Sequence, residues 1–503
     1  MANERFLRIL AFLCGCSLVL AIPSAAQAPG AGGPATASGG STSTQSPASS
    51  PAPFTPPPQQ GDPNYSGSVP QGTATATPIP LGLGDAIARG LKANLGLLTS
   101  QESNRETAAQ RLRALSGLLP KVNGQISETE QQINLQAEGF NITLPPSSPI
   151  QIPRIIGPYS YGSAQANFSI PFFDYSAISN YRSSKQSTKA AALSVKNARD
   201  LVVQAVGNAY LLIIADQARV VATQAEIDAD NAVFTNATRR HDAGTGTGLD
   251  VMRAQVELKQ RQQTLLAQTN QTAKDKLTLG RIIGLPLGQD FTITDPSQSV
   301  PLETVSLPDA LKKAYGNRPD FQAAAAQVRA AEFAYRAAKA ERYPTLTASG
   351  FYGDQGLDLF TNSHGVFSVA GSIQFNIFDG GRIKGDIQQN DADLRDKRNQ
   401  LENLRGQVDY EVRNALLDLK SAADQVSVAQ SNVGLANETL NQSRDRFAAG
   451  VTNSVEVVQS QQTVAEAYEN LISAQYQYNV GKVSLARALG LAEESIRGYF
   501  NQP

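Results

Sequence analysis

Apolar residues recur at alternating steps of three and four in the C-terminal part of the chain, a spacing that places them on one narrow face of an α-helix. One series comprises Val408, Val412, Ala415, Leu419, Ala422, Val426, Val433, Leu440 and Phe447, and a second comprises Val457, Val464, Tyr468, Leu471, Tyr478, Leu485 and Leu489. Seams of this width predict long helices packed as in a coiled coil. Polar Gln461 and Gln475 interrupt the second seam, which favours a helical wall with water on one side.

A second pattern, in which apolar and polar residues alternate one by one, covers residues 164–172 and 367–377. Alternation over about ten residues is typical of a transmembrane β-strand, with the apolar parity facing lipid. Weaker strand candidates precede these at residues 121–132 and 345–352, so each half of the chain offers one hairpin. A soluble antiparallel sheet shows the same alternation and is the alternative. The predicted lipid-facing residues are Phe168, Ile170, Phe172, Val369, Ile373, Phe375 and Ile377.

Segments without proline set the lengths of the helices, because a proline inside a helix breaks it. No proline occurs in residues 172–285 or 345–502. We predict one helix of about 65 residues over 176–241, roughly 100 Å long. Residues 250–285 and 306–343 are predicted to form shorter helices, which placed end to end would match the long one.

The chain contains an internal duplication. Residues 240–251 recur 206 positions later as residues 446–457, and 279–285 recur at the same shift as 485–491. A repeat of this kind indicates two copies of one structural unit. We therefore divide the chain into repeat one at residues 81–287, an equatorial linker at 288–305, repeat two at 306–492 and a C-terminal tail at 493–503.

The N-terminus carries export signals. Residues 1–26 are predicted to be a signal peptide, because two arginines precede an apolar run that ends in small residues. That run is shorter than the about 20 residues of a spanning helix, and because no longer run follows it we expect no membrane-spanning helix. A lipoprotein-like cleavage box gives a second interpretation, in which Cys16 is lipidated. Residues 27–80, rich in Pro, Gly, Ser, Thr and Ala, are predicted to be a disordered tether.

Charge and composition exclude several classes of function. The formal net charge is −1, from 43 Lys and Arg against 44 Asp and Glu, so we expect no nucleic-acid partner. Both cysteines lie in the predicted signal peptide, and the only histidines are His241 and His364. We therefore expect no metal site, no cofactor and no catalytic triad. The glycine-rich residues 244–248 follow a helix and lack the lysine of a phosphate-binding loop, so the chain is not expected to be an enzyme.

The strand count bears on the assembly. Four strands cannot enclose a water-filled lumen, and the simplest way to close such a sheet is a cyclic trimer with 12 strands. The predicted fold class is thus an α+β membrane protein. Each two-repeat protomer would contribute long coiled-coil helices to a tall helical wall and four strands to a trimeric 12-stranded transmembrane β-barrel.

Residues from about 81 to 492 resemble the TolC and outer-membrane efflux protein family. The resemblance is carried by the order and duplication of short motifs, namely the helix openings at 83–86 and 307–310, the steps into strands at 119–120 and 343–344, residues 378–381, the hairpin at 446–457, and the helix ends at 279–285 and 485–491. It implies that the long coiled-coil helices form a periplasmic α-barrel that continues the transmembrane β-barrel. It also implies a passive outer-membrane exit duct with a large periplasmic portion, serving tripartite efflux or type I secretion. The implied partners are outer-membrane lipid, two further copies, a periplasmic adaptor and an inner-membrane pump of RND or ABC type. The alternative function is a soluble periplasmic coiled-coil protein, structural or adaptor-like.

The resemblance also assigns roles to the two glycine-rich turns, which in the family are periplasmic tips that contact the adaptor. The carried-over tip residues are Arg240, Ala243, Gly244, Arg446, Ala449, Gly450 and Val451. Asp250 and Glu456 match an acidic position after each tip, and a ring of such carboxylates would favour cations. The next acidic position of the family is Arg253 in one copy and Gln459 in the other. Acids are also favoured at helix N-termini, so simple capping is the alternative role of both carboxylates.

Overall fold

A computed structural model describes residues 63–139, 153–286, 288–295, 305–357, 362–449, 451–452 and 454–495. The predicted signal peptide, Cys16 and Gly450 lie outside the described residues. Eight α-helices dominate this part of the chain. They are α1 (Leu83–Ala93), α2 (Leu95–Ser116), α3 (Tyr175–Asp242), α4 (Gly248–Ile283), α5 (Leu307–Asn317), α6 (Pro319–Ala340), α7 (Arg382–Ala448) and α8 (Ser454–Ala488).

The long helices have the predicted lengths. Helices α3 and α7 contain 68 and 67 residues, so each is about 100 Å long at 1.5 Å per residue. Helix α3 packs against α2 and α6 in the half near the strands, and against α4 and α8 in the other half. Helix α7 packs on α6 in the first half and on α8 in the second. Short helices thus stand end to end beside each long one.

The structure also contains a short 3-10 helix (Pro63–Tyr65) and six strands. The strands are β1 (Ile79–Leu81), β2 (Lys121–Asn134), β3 (Ile155–Phe173), β4 (Phe291–Ile293), β5 (Thr345–Gly356) and β6 (Ser363–Gln374). One antiparallel sheet contains four of these strands, in the order β2-β3-β5-β6. The hairpins of the two repeats therefore pair through β3 and β5, and β2 and β6 are the edges of this sheet within the chain.

The helix predicted for residues 306–343 is wrong in one respect, because it is two helices. Helix α5 ends at Asn317, and Arg318 is extended with a φ of −60° and a ψ of 116° before Pro319 starts α6. A residue before proline is sterically pushed out of the helical region, which explains the break. The matching break in repeat one lies at Asn94, whose side chain caps α2 by accepting hydrogen bonds from the backbone N–H groups of Gly96 and Leu97.

The main hydrophobic core lies halfway along the helical wall, where α1 and the end of α4 meet the middle of α3. Val202, Val206 and Tyr210 of α3 are fully buried there with Ile87 of α1. Gly90 permits this approach, since a Cβ at its position would lie 2.7 Å from a methyl group of Val206. Burial of this apolar face holds the short helices at the midpoint of the long one.

The predicted disordered tether is wrong for residues 63–80, which lie against repeat one and the linker that follows it. Strand β1 pairs in parallel with β4, and backbone hydrogen bonds join Val69 to Ala93 and Gln71 to Gly284. The composition argument considers only the burial of side chains, whereas this segment is held largely by backbone pairing. Residues 27–62 of the predicted tether lie outside the described residues.

The absence of a membrane-spanning helix stays a prediction, although one described helix is long and apolar enough to be considered. Helix α3 contains an 18-residue window with a mean hydropathy of 1.4, long and apolar enough to span a bilayer by length and composition. In this structure 61% of that window is buried inside the molecule. The buried side chains of α3 belong to the core described above, so their hydrophobicity is explained by packing within the protein.

Candidate functional site

The register of the four-stranded sheet places its apolar residues on one face. Val122 of β2 pairs with Phe168 of β3, which pairs with Gly350 of β5, which pairs with Val369 of β6. Directly paired residues point to the same side of a sheet. The side chains on this apolar face include Val122, Ile126, Phe168, Ile170, Leu346, Tyr352, Phe367, Val369 and Ile373.

The opposite face is mostly polar. The rows Gln125–Gln165, Asn123–Asn167 and Thr347–Ser372 point to it, and hydroxyl groups hydrogen-bond across the strands there. Ser127 Oγ lies 2.9 Å from Ser163 Oγ, and Thr347 Oγ1 lies 2.8 Å from Ser372 Oγ. The polar face is therefore suited to contact water, and the apolar face is suited to contact the hydrocarbon of a bilayer.

The apolar face is exposed in the single chain. Ile126 is 80% exposed and Phe367 is 76% exposed, far above the values of core residues. Phe168 is only half-buried because its ring lies over Gly350, where an added Cβ would be 2.6 Å from the ring. So wide an exposed apolar surface marks a place where lipid or another protein belongs.

Three of the seven predicted lipid-facing residues do not occupy regular strand positions. Phe172 lies at a register shift between Pro171 and Phe173, where the missing N–H of proline interrupts the ladder. Phe375 and Ile377 lie beyond β6, which ends at Gln374. Gln374 pairs with Thr345, the first residue of β5, so no strand is available to extend the pairing. Phe168, Ile170, Val369 and Ile373 occupy the apolar face, and their contact with lipid stays a prediction.

The first glycine-rich turn connects α3 to α4. Ala243 is the C-cap of α3, and Gly244 adopts a φ of +70°, a conformation that glycine takes without strain. Thr247 caps α4, since its side chain accepts a hydrogen bond from the Asp250 backbone N–H. In return the Thr247 hydroxyl donates to the Asp250 carboxylate at 2.7 Å. Asp250 is therefore engaged in the helix cap.

The second turn connects α7 to α8, and its acid is engaged in a different way. Arg446 Nη1 lies 2.9 Å from Glu456 Oε1, and the Thr452 hydroxyl donates to the other carboxylate oxygen. Val451 is 70% exposed, and its N–H donates to the Arg446 carbonyl. These contacts hold Glu456 against its own hairpin.

The two turns lie side by side. The Arg240 guanidinium of the first hairpin lies 4.6 Å from the centre of the Phe447 ring of the second, a cation–π contact. The hairpin ends of the two repeats are thus brought together, with Arg240 the only assigned tip residue in this contact. Both acids make cap-like or hairpin contacts, which agrees with the capping alternative. A carboxylate ring would require further copies, so that role stays a prediction.

Buried charged groups in the helical wall were not singled out in the sequence. Arg219 of α3 lies 2.9 Å from Asp216 and 2.9 Å from Glu469 of α8, and it is almost fully buried. Arg318 is 1% exposed and forms ion pairs with Asp320 at 2.6 Å and Glu411 at 2.5 Å. The sequence did carry a signal for the first of these clusters, because Asp216 and Arg219 directly follow the apolar run at 209–215. Charged residues next to such a run are buried with it only when they are paired.

Comparisons with known proteins agree with this architecture. The pyoverdine export outer membrane protein OpmQ of Pseudomonas aeruginosa is 25% identical over 406 residues, spanning 78% of this chain and 81% of its own. The solvent efflux pump outer membrane protein SrpC of Pseudomonas putida is 26% identical over 366 residues, spanning 71% and 76%.

Solved structures show the same fold. The outer membrane protein VceC of Vibrio cholerae matches with a TM-score of 0.68 at 18% identity, covering 81% of this chain and 96% of its own. The outer membrane channel CmeC of Campylobacter jejuni matches with a TM-score of 0.69 at 17% identity, covering 88% and 94%. A family model described as outer membrane efflux protein matches residues 94–285 and 310–491, one segment in each repeat. The chain therefore belongs to the outer membrane efflux protein family.

Proposed function

We propose that three copies of this chain form a passive exit duct in the outer membrane, which receives substrate from a periplasmic adaptor and an inner-membrane pump of RND or ABC type. The sheet carries this proposal, because one face is apolar and exposed and the other is polar. The family consists of transport channels, and we infer that the chain conducts substrate without catalysis.

The two sides of the wall support a cyclic assembly. Helix α2 leads into strand β2, and the short helices α2 and α4 flank α3 on one side. Strand β6 leads into α7 on the other side. Both sides carry exposed apolar side chains, namely Leu112 on α2, Met252, Val256, Leu266 and Leu277 on α4, and Tyr410, Leu417, Val428 and Leu435 on α7. The unlike sides of neighbouring copies can pair head to tail, which closes a ring.

The soluble coiled-coil alternative is not favoured. In that case Ile126, Phe367 and Val369, each more than 60% exposed, would face water together on one sheet, at a cost that rises with the apolar area exposed. The curated relatives described above are also named as outer membrane proteins of export and efflux systems.

Bilayer recording tests the duct directly. The full chain, expressed with its own N-terminus and purified from membranes, should need detergent and should insert into a planar bilayer in discrete conducting steps. Its conductance should persist without any nucleotide or other energy source, because the proposed duct is passive. A protein that stays soluble without detergent and never conducts would contradict the proposal.

We further propose that Asp250 and Glu456 line the entrance of the assembled duct, beside adaptor-contacting tips that include Arg240, Arg446 and Val451. The double variant Asp250→Asn, Glu456→Gln should lower cation selectivity, because two carboxylates per copy are removed. Reversal potentials under a salt gradient measure this, with Asp228→Asn as the control on an exposed position of α3. Unchanged selectivity with lower thermal stability would show that the two acids only cap their helices.

A further inference from the structure

A cavity of about 690 Å³ lies within the helical wall, between the α3–α4 pair and the α7–α8 pair. Its lining comes from all four helices, so both repeats contribute to it. It is separate in sequence from the sheet and from the two glycine-rich turns. A volume of this size is within the range of cavities that hold drug-sized ligands.

The walls of the cavity are largely apolar, formed by residues such as Ile214, Ala222, Leu440, Val464, Tyr468 and Ile472. Tyr468 adds an aromatic ring on the α8 side. Apolar walls with a few polar groups at fixed places are typical of sites that bind and orient a small amphipathic molecule.

One of the polar groups is a buried carboxylate with an unsatisfied oxygen. Asp230 lines the cavity and is only 5% exposed. Its Oδ2 atom has no hydrogen-bond partner among the described residues, and neither has the side-chain nitrogen of Gln461, which also lines the cavity. Buried polar atoms in folded proteins nearly always have a hydrogen-bond partner. We therefore expect a bound molecule to supply partners for these two atoms.

No cationic side chain of the lining is paired with Asp230 alone. Arg261, which α4 contributes to the lining, is shared between Glu226 and Glu257, each at 3.3 Å. Arg444 of α7, the other cationic residue of the lining, is exposed to solvent. Asp230, Glu226 and Glu257 thus stand against one half-buried guanidinium, and Asp295 is a further carboxylate of the lining. This excess of negative charge favours a further positive charge.

We propose that this cavity binds an amphipathic organic amine. Its ammonium group donates a hydrogen bond to the Asp230 carboxylate, its apolar body lies against Ile214, Leu440 and Ile472, and an acceptor oxygen meets the Gln461 amide. The site is independent of conduction, so this inference goes beyond the exit-duct function and can fail while that function holds.

The protonation of Asp230 gives the site a pH dependence. Burial, followed by the charge of Glu257, raises the pKa of Asp230 to about 6, while Arg261 acts in the opposite direction. Glu226 faces the same cavity, and burial also raises its pKa. Asp230 is therefore ionised at neutral pH, and an ammonium ligand should be released as the pH falls below about 6.

Fluorescence binding with dansylcadaverine tests the proposal, because this probe joins an apolar ring system and sulfonyl oxygens to a primary ammonium. The full chain in lipid nanodiscs should produce a saturable blue shift in probe emission at neutral pH. Asp230→Asn keeps the side-chain volume and removes the charge, and should weaken binding about tenfold or more, as expected for the loss of a charge-assisted hydrogen bond.

Two controls make the result specific. Asp228→Asn lies two residues away on an exposed position of α3, outside the cavity, and should bind as the wild type does. The N-acetylated probe, which has lost its ammonium, should bind as weakly to the wild type as the amine binds to Asp230→Asn. Equal binding of the amine to wild type and Asp230→Asn, equal binding of both probes, or no saturable signal would each overturn the proposal. Lipid partitioning is identical for all variants and so cannot imitate the predicted difference.

Discussion

Single residues set how closely the helices of the wall approach one another. At Gly90 the absence of a side chain lets α1 lie against Val202 and Val206 of α3. The second glycine of α1, Gly84, meets nothing within 4 Å of a Cβ built at its position. The same residue type therefore has a packing role at one position of this helix and none at the other.

Gly90→Ala should destabilise the protein by about 1–3 kcal/mol, because the new methyl group overlaps the core. Thermal unfolding of the detergent-solubilised protein, followed by circular dichroism, measures the effect as a lower midpoint. Gly84→Ala is the matched control and should have little effect. Equal stability of the Gly90→Ala variant and the wild type would show that α1 does not pack against α3 as described.

The buried charges of α3 lead to a second prediction at this scale. Burial, followed by Asp275 of α4, raises the pKa of Asp216 to about 7, whereas Arg219 lowers it. Glu469 and Tyr476 are the groups of α8 linked to this cluster. The folded state therefore retains a proton that the unfolded chain, with an ordinary carboxyl pKa of 3.8, has already released. Stability should fall as the pH rises from about 4 to about 7.

Asp216→Asn removes this group, so the variant should lose part of that pH dependence and gain stability relative to the wild type near pH 8. Unfolding midpoints measured from about pH 5 to about pH 8 give both slopes. Asp228→Asn, on the exposed face of the same helix, should keep the wild-type slope. Identical slopes for wild type and Asp216→Asn would mean that Asp216 is ionised throughout this range.

At the scale of elements, periodicity predicted the long helices and the four strands of the large sheet, while the glycine-rich segments predicted the two turns. Periodicity could not give the ends of β6 or the shift at Phe172, because these depend on where the partner strand β5 begins and where Pro171 interrupts the ladder. The break at Arg318 was visible as a residue before proline. The backbone pairing of residues 63–80 left no mark in their composition.

The two faces of β6 give a matched pair of substitutions. Val369→Arg places a charge on the apolar face and should cost about 2–4 kcal/mol if that residue meets the bilayer midplane. Ser368→Arg places the same charge on the polar face, next in sequence, and should assemble normally. Heat-modifiable migration on gels, after extraction from outer membranes, reports assembly. Normal assembly of the Val369→Arg variant would contradict the assignment of the lipid-facing side.

At the scale of the whole molecule, each chain is an open section of a wall. Helix α3 and strands β3 and β5 are interior, whereas β2 with α2 and α4 forms one side and β6 with α7 the other. The sequence indicated four strands per chain, but it could not show that β3 pairs with β5, which joins the two hairpins into a single sheet. This long-range pairing leaves one sheet edge at each side for a neighbouring copy.

The number of copies in the assembly tests this account most directly. Native mass spectrometry of the full chain, released from detergent after extraction from outer membranes, should give a single species with three times the mass of the processed chain. That result is expected because three four-stranded sheets provide the 12 strands that close around a water-filled lumen. A monomer or a dimer that still conducts ions in a bilayer would contradict the account.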